Sequence, residues 1–394
     1  MPQTDPARSQ AVTGARLETW LREVLLPFWA TEGFDAANGA FVEKFEPSGL
    51  PSGEDYTRVR VQARQIYVFS HAAAAGISNV GLAAAQRAFA FLETHAWDRE
   101  EGGWFHRLRR SGPVLDRTKD SYDHAFLLLA MAWLYRATGE VAVLRRAEET
   151  LDFLDAALGQ VRGGAFDGYA ERQTAAGQAL PLPRRQNPHM HLLEAFLALH
   201  EAGGEARWLD RARRIHDLFS RHFFKDGQII EFFDACWREI PQDGRRLREP
   251  GHFFEWTWLL HRYALASGDD GAPDAMRPLY GWAWENGVDG DDVVFEELDS
   301  GGGMLNGGSK RLWPQTEAVK ASLAVYERFG DGAALARAHR LLAALFTTFA
   351  GLDRSDWREQ VDRDGELIRE GMPSSSLYHL YLAAAEALRV LPGA

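Results

Sequence analysis

The sequence predicts an all-α fold, an (α/α)6 barrel of six helical hairpins, and three observations carry that expectation. A pattern recurs roughly every sixty residues along the 394-residue chain. In each period an amphipathic stretch precedes one that is apolar nearly all round. Between them lies a loop of roughly twenty-five residues with short alternating runs.

Six segments make up the apolar set: RVRVQARQIYVFSHAAAAG, KDSYDHAFLLLAMAWLYRATG, QNPHMHLLEAFLALHEAGG, EPGHFFEWTWLLHRYALASG, KRLWPQTEAVKASLAVYERFG and MPSSSLYHLYLAAAEALRV. Comparable positions in them are Arg64, His124, His191, His252, Gln315 and His379. A helix that is apolar on every side must be covered on every side, so these are expected as inner helices. Their partners, such as ARLETWLREVLLPFW, LRRAEETLDFLDAAL, LDRARRIHDLFSRHFF and ALARAHRLLAALFTTF, set charge opposite an apolar stripe and suit outer helices half exposed to water. Runs such as GQIIEFFDACWREI and DDVVFEELDSGG suggest short β-hairpins in the loops at one rim. No repeat has the polar face of a solenoid cap, which favours a closed ring. Without a Pro/Ser-rich linker, one domain over 1–394 is expected, with 1–14 as a flexible N-terminal segment.

Composition narrows the function. With 46% hydrophobic and 25% charged residues, the chain has the makings of a packed globule. A net charge of −12 without a basic tract disfavours nucleic acid as a partner. Cys236 is the sole cysteine, so neither an internal disulfide nor a thiolate zinc site is expected. MPQTDPARSQAVTG does not resemble a secretory leader, and no apolar run reaches about 18 residues. A cytoplasmic protein without membrane contact is therefore expected. Oligomeric state leaves no readable mark.

Pro188, Pro250, Pro314 and Pro373 stand near the starts of four inner segments, where proline loses no helical N–H bond. In such a barrel the inner helices run the same way, so their N-terminal partial charges gather at one rim. Side chains on shared helix faces point to the same rim: Asn187, His191 and Glu194; His252, Glu255 and Trp256; Arg60, Arg64 and Tyr67; Trp313 and Glu317. His379 lies one turn into the last inner segment. Buried Arg, Glu and His are costly unless paired or used. Taken singly, His124 and His261 read as hydrogen-bonded core residues, whereas His191, His252 and His379 together read as a site. Trp313, beside charged residues, suits stacking on a sugar face. In HMHLLE, His189 and His191 point roughly 200° apart on a helix, so no metal site is expected there. GGGMLNGGSK lacks the ending of a phosphate loop and reads as a mobile loop.

RQIYVFS, KDSYDHAF, NPHMHLLEA, EPGHFFEWTWLL, RLWPQTEA and MPSSSLYHL resemble the N-acylglucosamine 2-epimerase superfamily through all six repeats. Within it, RLWPQTE and PSSSLYHL look like mannose isomerases. Cellobiose epimerases carry a tryptophan shortly before the last histidine, where this chain has Pro373, Ser374 and Ser375. The resemblance implies His252 and His379 as the catalytic pair. It implies Arg64, Tyr122, Asn187, His191, Glu255, Trp313 and Glu317 as the lining of a monosaccharide pocket. It also implies that neither metal nor organic cofactor is needed.

An aldose becomes a ketose when the C2 hydrogen leaves as a proton and returns at C1 through a cis-enediol(ate). Histidine, with an ordinary pKa of about 6.5, suits both acid and base. His379 is expected to move the proton between C2 and C1. His252, oriented by Glu255, would assist ring opening and serve the oxygens. Arg64, His191 and the helix N-termini would stabilise the enediolate. Trp313 and Tyr122 would hold the sugar, and Asn187 and Glu317 would bond its hydroxyls. The expected reaction interconverts D-mannose and D-fructose, with D-lyxose and D-xylulose as a related pair. The alternatives are a sulfoquinovose isomerase, a mannose/glucose 2-epimerase, or a glycoside hydrolase built on Glu255 and Glu317.

Overall fold

The computed structural model describes residues 12–369 and 371–391. The segment expected to be flexible, 1–14, therefore lies outside the described residues up to residue 11. Beyond it, Thr13 Oγ1 accepts the Arg16 N–H at 3.3 Å and caps a helix that opens at Gly14.

The six apolar segments fold as inner helices 1 to 6: Val59–Ala74, Ser121–Thr138, Asn187–Gly203, Pro250–Ser267, Leu312–Phe329 and Leu377–Val390. Inner helices 2 to 5 each stop at a glycine (Gly139, Gly204, Gly268, Gly330) with φ between 65° and 71°, a left-handed cap that other residues adopt at a cost. The amphipathic stretches fold as outer helices. In Ala206–Leu218, for instance, Trp208, Leu209, Ala212, Ile215 and Leu218 are buried while Arg207, Asp210 and Arg213 face water. One continuous apolar core fills the space between the two layers. Each inner helix packs against the next, and the sixth packs against the first. Among the described residues, no helix is long and apolar enough to cross a membrane.

The loops hold short β-hairpins, as expected, and the rim adds a second kind of pairing. Local hairpins exist, such as Phe224–Lys225 with Gln228–Ile229. The recurring element, however, is a pairing between successive loops. A two-residue strand stands at the entry of each inner helix, and in helices 1 to 5 it pairs antiparallel with a strand of the following loop. Thr57–Arg58 pairs with Arg107–Leu108, Arg184–Arg185 with Phe232–Phe233, and Lys310–Arg311 with Gln360–Val361. At the seam, Met372–Pro373 pairs back to Lys44–Phe45. Backbone hydrogen bonds thus tie each repeat to its neighbour around the rim, and the entry point of every inner helix is held by two loops.

Candidate active site

That stitching fixes two side-chain registers at the start of the inner helices. Four residues after the rim strand come Gln62, His124, His189, His252 and Gln315. At four of these positions the side chain serves the backbone of the preceding loop. Gln62 accepts from Phe41 N at 2.7 Å, His124 from Trp104 N at 3.1 Å, His189 from Tyr169 N at 2.9 Å and Gln315 from Val294 N at 2.7 Å. Two residues further on, one helical face away, come Arg64, His191, Glu317 and His379. The six positions compared along the sequence therefore mix two registers: His124 and Gln315 are structural, whereas Arg64, His191 and His379 belong to the site. His252 stands in the structural register but bonds a carboxylate instead of a backbone N–H.

A cavity of about 210 Å³ opens at the N-terminal rim, lined by Arg64, Tyr122, Asn187, His191, Glu249, His252, Glu255, Arg311, Trp313 and His379. All six inner helices contribute to it. Its size lies below the usual range for drug-sized ligands and suits a small molecule. Trp313 stands between the two candidate catalytic rings, 5.1 Å from His252 and 5.8 Å from His379 between centroids. This placement depends on Gly251, where an added Cβ would lie 2.4 Å from the Trp313 ring.

His379 and His252 are in opposite electrostatic settings. His379 Nδ1 lies 2.8 Å from Glu317 Oε1. The carboxylate can only accept, so Nδ1 carries the proton and Nε2 keeps its lone pair. Burial outweighs the pull of Glu317 and pushes His379 down to about 3, so the ring is neutral. At His252, burial also works against charge, but Glu231 and Glu249 outweigh it and push the ring up to about 10. Its Nδ1–H donates to Glu231 Oε2 at 2.9 Å, and Glu249 lies 3.8 Å away. Glu231 is held in turn by Gln186 Nε2 at 2.8 Å and Glu249 N at 3.3 Å. The Asn187 amide meets His252 Nε2 at 2.9 Å, and its Oδ1 is otherwise without a partner. With His252 charged, the amide orients so that Oδ1 accepts from Nε2–H, which satisfies both groups.

Two expectations need correction. His252 is oriented by Glu231, not by Glu255, which instead faces His191 at 3.8 Å. Glu317 is fully buried behind His379 and does not reach the cavity, so it supports a ring and cannot bond a ligand hydroxyl. Arg64 lines the cavity: it donates to Tyr122 Oη at 2.8 Å and to the Ser375 carbonyl at 3.2 Å, with Phe126 4.2 Å beneath it. The PSSS stretch is the seam of the ring, because Gln65 donates to the Ser374 carbonyl at 2.6 Å.

Under this layer lies a charged cluster whose cation, Lys320, is missing from the sequence expectations. Lys320, fully buried, sits 2.6 Å from Glu317 Oε2 and 4.2 Å from the Trp258 ring. Burial opposes its charge, but Glu317, Glu255 and Glu194 hold its pKa above the usual lysine value. Burial and the Glu317 charge raise the Glu255 carboxyl well above the usual carboxylate range. Tyr378 Oη donates to Glu194 at 2.6 Å. Among the described residues, two acidic groups bring ligand-type atoms within 4.8 Å of one another, His191–Glu194–Glu255 and Glu231–Glu249–His252. In both, a cation on the chain already offsets the charge, Lys320 in the first and the His252 ring in the second. His189 turns away to Tyr169, as the helix geometry requires. Replacing Lys320 by Met leaves buried carboxylates without their cation and is expected to cost about 3–5 kcal/mol, measured as a lower denaturation midpoint. An unchanged midpoint would mean that the cluster is neutral without it.

The chain matches the model of the N-acylglucosamine 2-epimerase (GlcNAc 2-epimerase) family over residues 39–383. It is 34% identical to a mannose-6-phosphate isomerase of Rhizobium meliloti over 94% of this chain and 95% of that protein. It is 30% identical to a D-mannose isomerase of Pseudomonas cannabina pv. alisalensis, covering 95% of each. In fold it is similar to the cellobiose 2-epimerase of Bacillus thermoamylovorans, with a TM-score of 0.87, 21% identity and coverage of 95% and 98%. The chain belongs to the N-acylglucosamine 2-epimerase family. As a member it is an enzyme of the isomerase and epimerase class.

Proposed function

We propose that this enzyme interconverts D-mannose and D-fructose, and D-lyxose and D-xylulose as a related pair, in an (α/α)6 barrel without a metal or organic cofactor. One observation carries the reading: the His252 and His379 imidazoles, each bonded through Nδ1 to a buried carboxylate, flank the same indole in a cavity sized for one sugar ring. His379 Nε2 is the base that takes the C2 proton and returns it at C1. His252 is the acid. Its Nε2–H passes from Asn187 to the ring oxygen as the sugar opens, then serves O1 and O2 as charge moves between them. Arg64, polarising through Tyr122, and the converging helix N-termini stabilise the enediolate, a preorganised field that contributes several kcal/mol to such reactions. Trp313 holds the sugar face between the two rings. Asn187, His191 and Glu255 supply hydroxyl contacts, and Glu317 keeps His379 in the correct tautomer.

Return of the proton to the other face of C2 would give the epimer. The isomerase reading is supported by the single base, His379, over the carbons. In this reading His252 exchanges its Nε2 proton with the sugar oxygens, which leaves His379 as the base for carbon. The hydrolase alternative loses its second carboxylate, because Glu317 is engaged by His379 and Lys320. Arg64 and Arg311 in the wall, with the name of the Rhizobium relative, favour one further test substrate, mannose 6-phosphate. Arg311 is already held by Glu359 at 3.0 Å and Glu296 at 3.4 Å, and Glu249 faces the same space, so the free sugar is preferred.

The test is incubation of chelator-treated enzyme with mannose in heavy water, followed by product chromatography and location of the deuterium. Fructose labelled at C1 is the expected product. Glucose labelled at C2 would establish the epimerase instead, faster turnover of mannose 6-phosphate would reassign the substrate, and activity restored only by added metal would overturn the metal-free mechanism.

A further inference from the structure

The barrel contains a second cavity, at the end opposite the site just described. It measures about 460 Å³ and lies among the C-terminal halves of inner helices 1, 2, 3, 4 and 6. The Tyr378–Glu194 hydrogen bond belongs to the layer that separates it from the sugar cavity, and Glu194 closes its inner end. The walls are apolar and aromatic: Leu129, Leu259, Leu382 and the indoles of Trp133 and Trp258. His71 lies 4.2 Å from the Trp133 ring, its Nδ1 2.8 Å from Tyr381 Oη. Burial pushes His71 down to about 4, so it joins this wall as a neutral ring.

The mouth carries charge in an unequal arrangement. Arg136 and Arg262 share one carboxylate, Glu201, at 3.3 Å and 2.6 Å, each through a single nitrogen. Among the described residues, the remaining N–H groups of these two guanidiniums have no hydrogen-bond partner. Arg389, by contrast, is fully engaged, with bonds to both oxygens of Glu327 and both of Glu386. Arginines near helix C-termini complement the negative end of the helix dipole. That role accounts for the charge of Arg136 and Arg262 but not for two cations converging on one acid beside an indole-lined void. Arg136 also packs over Trp133, its Cζ 4.1 Å from the ring centre, which ties the guanidinium to the indole wall of the cavity. An aligned, half-engaged arginine pair is the standard receptor for a carboxylate, since the planar fork matches its two oxygens.

We propose that this cavity binds a small apolar monocarboxylate, its ring or chain against Trp133, Trp258 and Leu382 and its carboxylate on Arg136 and Arg262. The orientation follows from the ends of the cavity. An anion at the inner end would meet Glu194, whereas at the mouth it meets two guanidiniums offset by Glu201, the remaining wall acid, Glu386, being held by Arg389 and the Trp258 indole N–H. The site is separate from the sugar cavity and shares none of its proposed catalytic groups.

The probe is 2-naphthylacetate, with 2-naphthylacetamide as its uncharged isostere, titrated calorimetrically into the full chain. The acid is expected to bind at least tenfold more tightly than the amide. The double variant Arg136→Ala/Arg262→Ala should lower its affinity at least tenfold with little change in melting temperature. Ala198→Phe, which fills the cavity from inner helix 3, should abolish binding by an independent route. Trp313→Ala, in the sugar cavity, should leave the affinity unchanged. Absence of binding, equal binding of acid and amide, or loss of binding in Trp313→Ala would each overturn the proposal. These readouts do not depend on which sugar the enzyme turns over, so failure here leaves the isomerase reading standing, and the converse also holds.

Discussion

Replacement of His379 by Asn is expected to lower turnover by about 10²–10⁴-fold, the range attributed to a positioned general base. The variant should still fold. Asn retains an N–H for Glu317, so the buried Glu317–Lys320 pair keeps its donor and the cluster under the site remains satisfied. What is lost is the lone pair on Nε2, held neutral because burial drives the ring down to about 3. The sign for pH follows directly. The base must be unprotonated, so the rate is full above that value and falls only as pH drops through it. Measured kcat for mannose, alongside a melting curve, checks the claim. Turnover within tenfold of the parent enzyme would move the base elsewhere. Exchange of the C2 hydrogen with heavy water should vanish in parallel, because it passes through the same imidazole.

Much of this architecture is legible in the sequence because burial leaves a periodic trace. A helix covered on all sides must be apolar on all sides, and six such segments at near-equal spacing define the inner ring. The seam residues Ser374 and Ser375 and the cavity residues Arg64, Asn187, His191, His252, Trp313 and His379 stand out as polar groups in apolar helices. The supporting groups were harder to find, for identifiable reasons. Glu231 lies in IIEFF, an apolar loop run whose partner across the rim, Arg184–Arg185, is set by strand pairing between repeats and leaves no local mark. Glu255 is the acid nearest to His252 along its own helix, so helical spacing favours it over a residue 21 positions upstream. Lys320 does carry a signal: a lone lysine in AVKAS, three residues after Glu317, on a helix that has no exposed face there. A lysine at such a place must have a buried acid beside it, and that inference was available from spacing alone. The doubled register at the helix starts is the deepest ambiguity. His189 and His191 are two residues apart in one motif, yet one supports a loop backbone and the other faces the cavity.

The charge on His252 gives the second large expectation, an altered pH profile in Glu231→Gln. Glutamine preserves the shape and can still accept the Nδ1–H through its carbonyl, so the ring stays in place. The negative charge is removed. Burial then faces a weaker opposing field, with Glu249 alone close by, and Glu249 is itself raised to about 7 by burial. The pKa of His252 must fall from about 10. Because the acid must be protonated, activity is present below its pKa and lost as pH rises through it. The alkaline limb therefore moves to lower pH, while the acid limb, set by His379, stays where it is. A downward move of about two pH units would cost about 10²-fold in turnover at pH above both limbs and little well below them. A purely structural role for Glu231 would instead lower activity by the same factor at every pH. Full profiles of kcat for the parent and Glu231→Gln enzymes separate these outcomes. An unmoved alkaline limb would show that His252 does not enter the reaction as the cationic acid.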